Sequence, residues 1–206
     1  ESTERIKELV NWGANFDRND SGLYDLGKEG GHSEYRVLHH KDQTGFEIER
    51  ALLEKVNKHS NITILEQHFA IELITQHHLG EIVKRGQADI QCFGAYVLDK
   101  KTNMIKTMLA KVTMLATGGA GNVYSNTTNP PIATGDGIAM VFRAKGVIEN
   151  LEFIQFHPTS LYNPREKPSF LITEALRGFG AILKTIDGEE FMHKYHKPLS
   201  LAPRDI

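Results

Sequence analysis

Apolar residues recur three and four positions apart in two stretches near the beginning of the chain. Residues 3–13 and 44–59 carry this spacing, which predicts a helix in each. A third helix is predicted at residues 134–144, entered through the glycine-flanked Asp136. The first pattern is already under way at the first residues, so we expect the chain to open inside a longer protein.

Shorter apolar runs between the helices predict strands. Residues 93–99 and 104–110 flank the turn sequence Lys-Lys-Thr-Asn and therefore predict a hairpin. The run at residues 111–116 stops at a glycine-rich turn and predicts a buried strand. Further strands are predicted at residues 62–66 and 70–75, and loops at the polar residues 15–36 and 75–91.

The character of the sequence changes near Asn150. Beyond this residue, short apolar pieces are interrupted by five prolines. We therefore predict a domain boundary here, with residues 1–149 in one domain and residues 150–206 in a second. The final residues form no closing element, so we expect the carboxyl end to be cut as well.

Composition restricts the class of protein. Hydrophobic residues make up 40% of the 206 residues and charged residues 24%, as in globular proteins. A net charge of -2 gives no electrostatic reason to expect nucleic acid, and no apolar run approaches the roughly 18 residues that span a bilayer. Cys92 is the only cysteine, so no internal disulfide forms and a reducing compartment, the cytoplasm, is predicted.

Three local clusters of histidines are candidate metal ligands. No set of carboxylates or cysteines stands at ligand spacing around them, so we predict surface histidines and no metal site. The local clusters are His39-His40, His77-His78 and His193 with His196.

A glycine-rich turn, Ala116-Thr117-Gly118-Gly119, follows the predicted strand at residues 111–116. A backbone without Cβ atoms can approach a phosphate or an aromatic ring closely. The turn lacks the third glycine of a dinucleotide fingerprint, so a cofactor site and a simple tight turn both stay open.

Two further side chains have a functional and a structural interpretation. Asp136 either caps the helix that it begins or belongs to a helix amino terminus directed at a cofactor group. His157 is restrained by the following Pro158 and can donate a hydrogen bond to a carboxylate, although a structural role is the commoner one for a lone histidine.

Acidic and basic residues near the end of the chain suggest a small charged substrate. A dicarboxylate needs cationic and hydrogen-bonding partners, and arginine is the natural bidentate clamp. His157, Thr173 and Arg204 are residues of the right type. Glu29 does not suit a plain dicarboxylate, but its charge suits an ammonium group.

With these motifs in their order along the sequence, the chain resembles the flavoprotein family of succinate dehydrogenase, fumarate reductase and L-aspartate oxidase. The resemblance runs essentially from end to end. Its strongest stretches are the Glu-Gly-Gly-His-Ser run and its extension at residues 29–39, the glycine turn at 116–124, and residues 128–130, 135–140, 150–159, 173–178 and 201–206.

The resemblance implies an α/β fold. It comprises part of an FAD-binding Rossmann-like domain without its amino-terminal glycine fingerprint, followed by the first part of an α+β capping domain. The implied substrate-site residues are His157 and Thr173 at a substrate carboxylate, Glu174 beside them, and Arg204, which transfers a proton while a hydride passes between substrate and flavin. The implied contacts to non-covalent FAD are Ala70, Ala116, Thr117, Gly118, Gly119 and Asp136.

Glu29 relates the chain most closely to the L-aspartate oxidase branch, because the dicarboxylate reductases and dehydrogenases lack the Glu-Gly-Gly-His-Ser run. The resemblance puts Glu29 near the substrate amino group. It implies oxidation of L-aspartate to iminoaspartate in de novo NAD biosynthesis, with oxygen or fumarate as the electron acceptor. Quinolinate synthase, which consumes iminoaspartate, is the implied functional partner.

Alternatives stay open. Phe179 stands where the family commonly has a second acid after Arg-Gly, so a role for that acid is in doubt. The chain could instead belong to a soluble fumarate reductase- or succinate dehydrogenase-like flavoprotein, or form a stand-alone, non-catalytic module. Most of the family's flavin-binding surface lies outside these residues, so we expect the isolated chain to be inactive and to retain no stoichiometric FAD.

Overall fold

A computed structural model describes residues 2–29, 32–203 and 206 of the chain. It contains both helices and strands, in agreement with the predicted α/β class. The helices are α1 (Ser2–Asn11), α2 (Thr44–Asn57), α3 (Asp136–Arg143) and the single turn α4 (Ala175–Gly178). The strands are β1 (Leu26–Gly27), β2 (Val37–Leu38), β3 (His68–Thr75), β4 (Cys92–Asp99) and β5 (Met104–Leu109).

Most locally determined elements are confirmed. The three predicted helices form within a few residues of their expected bounds. The predicted hairpin corresponds to β4 and β5, which pair antiparallel from Gly94 with Leu109 to Asp99 with Met104. No helix among the described residues combines the length and apolar content needed to cross a membrane.

Two predicted strands are wrong. Residues 62–66 and 111–116 run without regular secondary structure, and no described residue pairs with either segment. Their apolar side chains stay open to solvent, with Val112 82% and Met114 86% exposed. An apolar run becomes a strand only when a neighbouring strand satisfies its backbone N–H and C=O groups, and the described residues supply none here.

The chain divides into two compact units. The first unit comprises residues 1–64, 156–159 and 172–206, and the second unit comprises residues 65–155 and 160–171. The domain boundary near Asn150 stays a prediction.

The core of the first unit lies between α1 and α2. Ala14, Phe16 and Ala51 are buried there. The carboxylate of the buried Glu47 adds a polar anchor, because it accepts hydrogen bonds from the Asn15 N–H at 2.7 Å and from two guanidinium nitrogens of Arg50 at 2.8 Å. These bonds connect α2 to the loop after α1.

An antiparallel three-stranded sheet in the order β3-β4-β5 forms the centre of the second unit. Helix α3 is bound to this sheet through Arg143, which donates to the Glu72 carboxylate at 2.6 Å and to the Ile71 carbonyl at 2.8 Å. At the β4–β5 turn, the ammonium of Lys106 lies 2.8 Å from Asp99 and is the main cause of the lowered pKa of that carboxyl. The sheet and α3 therefore form one scaffold for the turn at residues 116–119.

The predicted loop at residues 75–91 is only partly exposed. His77 and His78 are open to solvent as expected, but Gln76 is buried. Its side chain donates to the Asp89 carbonyl at 2.6 Å and accepts from the Gln91 N–H at 2.8 Å, which closes the loop on itself.

The Glu47 anchor predicts a specific dependence of stability on pH. The Arg50 guanidinium, assisted by the Asn15 N–H, lowers the pKa of Glu47 from 4.5 to about 2. The ionised carboxylate therefore stabilises the fold above pH 4.5, and this contribution is lost as the pH falls towards 2. Thermal unfolding should show Glu47→Gln less stable than wild type at neutral pH, with the difference closing over that acidic range.

The matched control is Glu49→Gln, which changes an exposed carboxylate on the same helix. This variant should follow the wild-type profile. A stability difference between wild type and Glu47→Gln that stays constant down to the acidic end would contradict the assignment.

Candidate functional site

Glu29 lies in the loop of a small hairpin in the first unit. Strands β1 and β2 pair Leu26 with Leu38 and Gly27 with Val37. The loop between them is tightened by the His32 N–H, which donates to the Glu29 carbonyl at 3.1 Å. Glu29 is half-buried, so the turn holds its carboxylate near the protein surface without submerging it.

The base of this hairpin is braced by charged side chains that the sequence interpretation missed. His39, directly after β2, lies 3.2 Å from an Asp17 oxygen through Nδ1 and 3.5 Å from an Asp25 oxygen through Nε2. The Lys41 N–H donates to Asp17 at 2.6 Å and is the main cause of the lowered pKa of Asp17. His39 and His40 were expected to be simple surface residues, but both are half-buried because they pair with Asp17.

The His157 ring is fixed on one side by backbone. Its Nδ1 atom lies 2.8 Å from the Thr159 carbonyl oxygen, and its Nε2 atom lies 3.8 Å from the Glu174 carboxylate. The Thr159 N–H also approaches Nδ1, at 3.3 Å, and these backbone contacts set the ring orientation and leave Nε2 on the side of Glu174. The imidazole is 18% exposed, so a ligand can reach it.

Glu174 belongs to a buried charge pair. Glu174 and Arg177 are 5% and 6% exposed, and a guanidinium nitrogen of Arg177 lies 3.5 Å from the Glu174 carboxylate. The Nη1 atom of Arg177 also donates to the carbonyls of Ser200 at 3.0 Å and Ala202 at 3.2 Å. Arg177 therefore connects the Thr173–Gly178 motif to the segment that leads to Arg204.

Thr173 is exposed at the start of α4. Its hydroxyl oxygen accepts a hydrogen bond from the Ala175 N–H at 3.3 Å, which leaves the hydroxyl hydrogen to donate elsewhere. The structure thus brings His157, Thr173 and Glu174 together in the first unit, along with the Glu29 loop. Arg204, the expected proton-transfer residue, lies outside the described residues.

The glycine turn of the second unit presents bare backbone. A Cβ atom at Gly118 or Gly119 would meet no other atom within 4 Å, so this backbone is open to an approaching group. The Gly135 N–H donates to the Gly119 carbonyl at 3.2 Å, which fixes the turn against the start of α3. Thr117 packs directly on Gly137, where any Cβ would overlap the threonine hydroxyl.

Asp136 does not cap its helix. Gly135 occupies the cap position with a left-handed backbone, and Asp136 is the first residue of α3. Its carboxylate accepts a hydrogen bond from the Thr134 hydroxyl at 2.9 Å. This geometry removes the capping interpretation of Asp136.

The turn and α3 enclose a possible cofactor site. A cavity of about 350 Å³ is lined by residues 115–118, by three residues of α3 and by Val147 and Ile148. Open glycine backbone beside a helix amino terminus suits the polar and phosphate groups of a dinucleotide, so these residues fit FAD. Ala70, the other expected contact, lies half-buried in β3 opposite Val97. No group of three potential ligand side chains within the described ranges could hold a metal ion.

The whole chain matches a known family, and its relatives are consistent with this site. A family model described as an FAD binding domain matches residues 1–206. L-aspartate oxidase 2-a, chloroplastic, from Nicotiana tabacum is 49% identical over 100% of this chain and 32% of its own length. L-aspartate oxidase 1 from Ralstonia nicotianae is also 49% identical, over 98% of this chain and 37% of its own.

Solved structures show the same fold. An E. coli quinol fumarate reductase chain has a TM-score of 0.80 and 26% identity, with 98% of this chain and 34% of that chain covered. A Mycobacterium smegmatis Sdh1 chain has a TM-score of 0.70 and 33% identity, with 100% and 34% covered. The chain therefore spans about a third of the length of the proteins it matches.

The buried Arg177 predicts a large effect on stability. Arg177→Met removes the guanidinium that pairs with the Glu174 carboxylate and donates to the Ser200 and Ala202 carbonyls. Removing one partner of a buried ion pair costs about 3–5 kcal/mol. Denaturant unfolding should show a loss of this size.

The matched control is Arg165→Met, which removes an exposed guanidinium and should have little effect. The loss of stability in the double variant Arg177→Met with Glu174→Gln should be smaller than the sum of the two single losses, because either substitution alone already breaks the pair. Additive losses would contradict the pairing.

Proposed function

Because this chain belongs to the FAD-binding domain family, we propose that it forms part of an L-aspartate oxidase. Such an enzyme converts L-aspartate to iminoaspartate. The observation that carries the proposal is the position of an acidic residue, Glu29, in a loop held against the helix that follows Thr173 and Glu174. This arrangement combines a partner for an ammonium group with partners for a carboxylate.

FAD is the cofactor of this family, and the second unit has groups suited to it. We propose that Ala116, Thr117, Gly118 and Gly119 approach the cofactor through their backbone. The amino terminus of α3 with Asp136, and Ala70 on β3, complete the contacts that this chain contributes. When bound, FAD accepts a hydride from C2 of the substrate.

The substrate is bound through three kinds of group. The Nε2 atom of His157 and the hydroxyl of Thr173 donate hydrogen bonds to one substrate carboxylate, while Glu29 accepts from the substrate ammonium. The Thr159 backbone orients the imidazole through Nδ1, and Glu174 lies 3.8 Å from the Nε2 atom. Because Glu174 is itself held by Arg177, the carboxylate-binding groups are oriented before the substrate arrives.

Arg204 completes the proposed mechanism as the proton-transfer group. In the fumarate-reducing direction it gives a proton to one carbon of the double bond while a hydride adds to the other. In the oxidising direction with L-aspartate, loss of the C2 hydride and of one ammonium proton yields the protonated imine, which releases a second proton to water to give the neutral imine. Arg177 holds the Ser200 and Ala202 carbonyls, which precede Arg204 in the sequence.

The proposed reaction also needs an electron acceptor and an enzyme that consumes its product. Oxygen or fumarate takes the electrons from the reduced cofactor. An imine of this kind hydrolyses readily, so an enzyme that consumes it at once is expected, and quinolinate synthase in de novo NAD biosynthesis is the proposed one. The lone Cys92 supports a reducing, cytoplasmic location, whereas the plant relatives are named as chloroplastic.

A soluble fumarate reductase-like flavoprotein is the second candidate. The TM-score of 0.80 with the quinol fumarate reductase chain favours it, because that chain has the same fold over 98% of these residues. A non-catalytic module is the third candidate, and a complete gene product that binds no FAD would support it. Glu29 distinguishes the first two candidates, since fumarate carries no ammonium group.

The test is Glu29→Gln in the complete gene product loaded with FAD. A hydrogen bond to a charged group is worth about 1.5–3 kcal/mol, so kcat/KM for L-aspartate should fall about 10- to 100-fold. Fumarate reduction with an artificial electron donor should persist, because fumarate does not use Glu29.

Glu34→Gln serves as the control, since it removes an exposed carboxylate from the same loop. Both activities should be unchanged in this variant. Intact aspartate oxidation in Glu29→Gln, or absence of aspartate oxidation in the wild-type enzyme, would reject the proposed function.

A further inference from the structure

Gly178, the last residue of α4, contacts the backbone of the loop that carries Glu29. A Cβ atom built at Gly178 would lie 2.5 Å from the Lys28 carbonyl oxygen, 3.5 Å from the Lys28 carbonyl carbon and 4.0 Å from Glu29 Cα. Real Cβ atoms essentially never approach another atom closer than 3.0 Å. All three neighbours are main-chain atoms, so no side-chain rotation can make room. Glycine is needed here for close approach.

The helix side of this contact is directly connected to the substrate-binding residues. Helix α4 is one turn long, and the Gly178 N–H donates to the Glu174 carbonyl at 3.2 Å. The Thr173 hydroxyl accepts from the Ala175 N–H at the other end of the same turn. Gly178 thus lies four residues after Glu174 and five after Thr173, within about one and a half helical turns of both.

Helix α4 is also the more firmly held of the two partners. The guanidinium of Arg177 is buried and bonded to the carbonyls of Ser200 and Ala202, which ties the helix to a separate segment. The loop opposite is closed by an exposed bond from the Lys28 ammonium to the Ser33 carbonyl at 2.9 Å. A methyl group at position 178 would therefore displace the loop rather than the helix.

We propose that Gly178 is a positioning residue that determines substrate specificity. Its missing side chain sets the distance between Glu29 and the Thr173–Glu174 turn, and so selects a dicarboxylate that carries an amino group over one that does not. The inference rests on the proposed function, in which Glu29 accepts a hydrogen bond from the substrate ammonium. Groups that bind the substrate carboxylate lie on the helix side and keep their places.

The test is Gly178→Ala in the complete gene product with FAD bound. Three quantities are compared with wild type: kcat/KM for L-aspartate oxidation, kcat/KM for fumarate reduction, and the inhibition constant of succinate. A misplacement of about 1 Å can cost up to about 100-fold, so the aspartate value should fall about tenfold or more, mainly through KM. The fumarate and succinate values should stay within about twofold of wild type.

The ratio of the aspartate KM to the succinate inhibition constant does not depend on the fraction of folded enzyme. It therefore remains informative if Gly178→Ala lowers the yield. The control is Gly45→Ala in α2, where a Cβ would meet nothing within 4 Å and where alanine is favoured in a helix. This control should leave all three quantities unchanged.

Glu29→Gln separates failure of this inference from failure of the proposed function. If Glu29→Gln impairs aspartate oxidation selectively but Gly178→Ala changes all three quantities equally or none of them, the positioning role of Gly178 is overturned and the proposed function stands. If Glu29→Gln leaves aspartate oxidation intact, the proposed function itself fails. The double variant should lose no more aspartate activity than Glu29→Gln alone, and additive losses would overturn the positioning role.

Discussion

A guanidinium removed from water must be compensated by partners inside the protein, and Arg177 finds them in three places along the sequence. It pairs with Glu174 in its own motif and donates to the carbonyls of Ser200 and Ala202. Glu174 in turn faces the imidazole of His157. One buried charge therefore gathers segments near residues 157, 174 and 200, and the arrangement of the proposed substrate-binding residues depends on it.

Close backbone approach at glycine recurs in both units. In the second unit, Gly137 lets Thr117 pack against α3 and so fixes the glycine turn proposed to hold FAD. In the first unit, Gly178 lets the Glu29 loop pack against α4. Neither glycine has the left-handed backbone that often explains this residue, so contact with another chain segment is the reason for glycine at both positions.

Sequence reasoning succeeded where structure is determined locally. The hairpin of β4 and β5 and helix α2 follow from short-range patterns, and both are confirmed. Residues 111–116 have the same strand-like composition, but a strand needs a partner that local sequence does not reveal. The sequence motifs identified which types of residue belong to the candidate site. They did not predict that His39 lies between Asp17 and Asp25, because these contacts join residues that are distant in sequence. The role of Arg177 was likewise hidden, although its spacing from Glu174 on one helical turn was a usable signal.

Direct observation of the flavin tests the central claim, that this chain helps an FAD-bound enzyme to oxidise an amino-bearing dicarboxylate. The complete, oxidised gene product is mixed without oxygen with L-aspartate, and the visible absorbance of its flavin is followed. The account predicts rapid bleaching by L-aspartate and recovery of the colour when fumarate is added. A flavin that stays oxidised with L-aspartate but is bleached by succinate would contradict it.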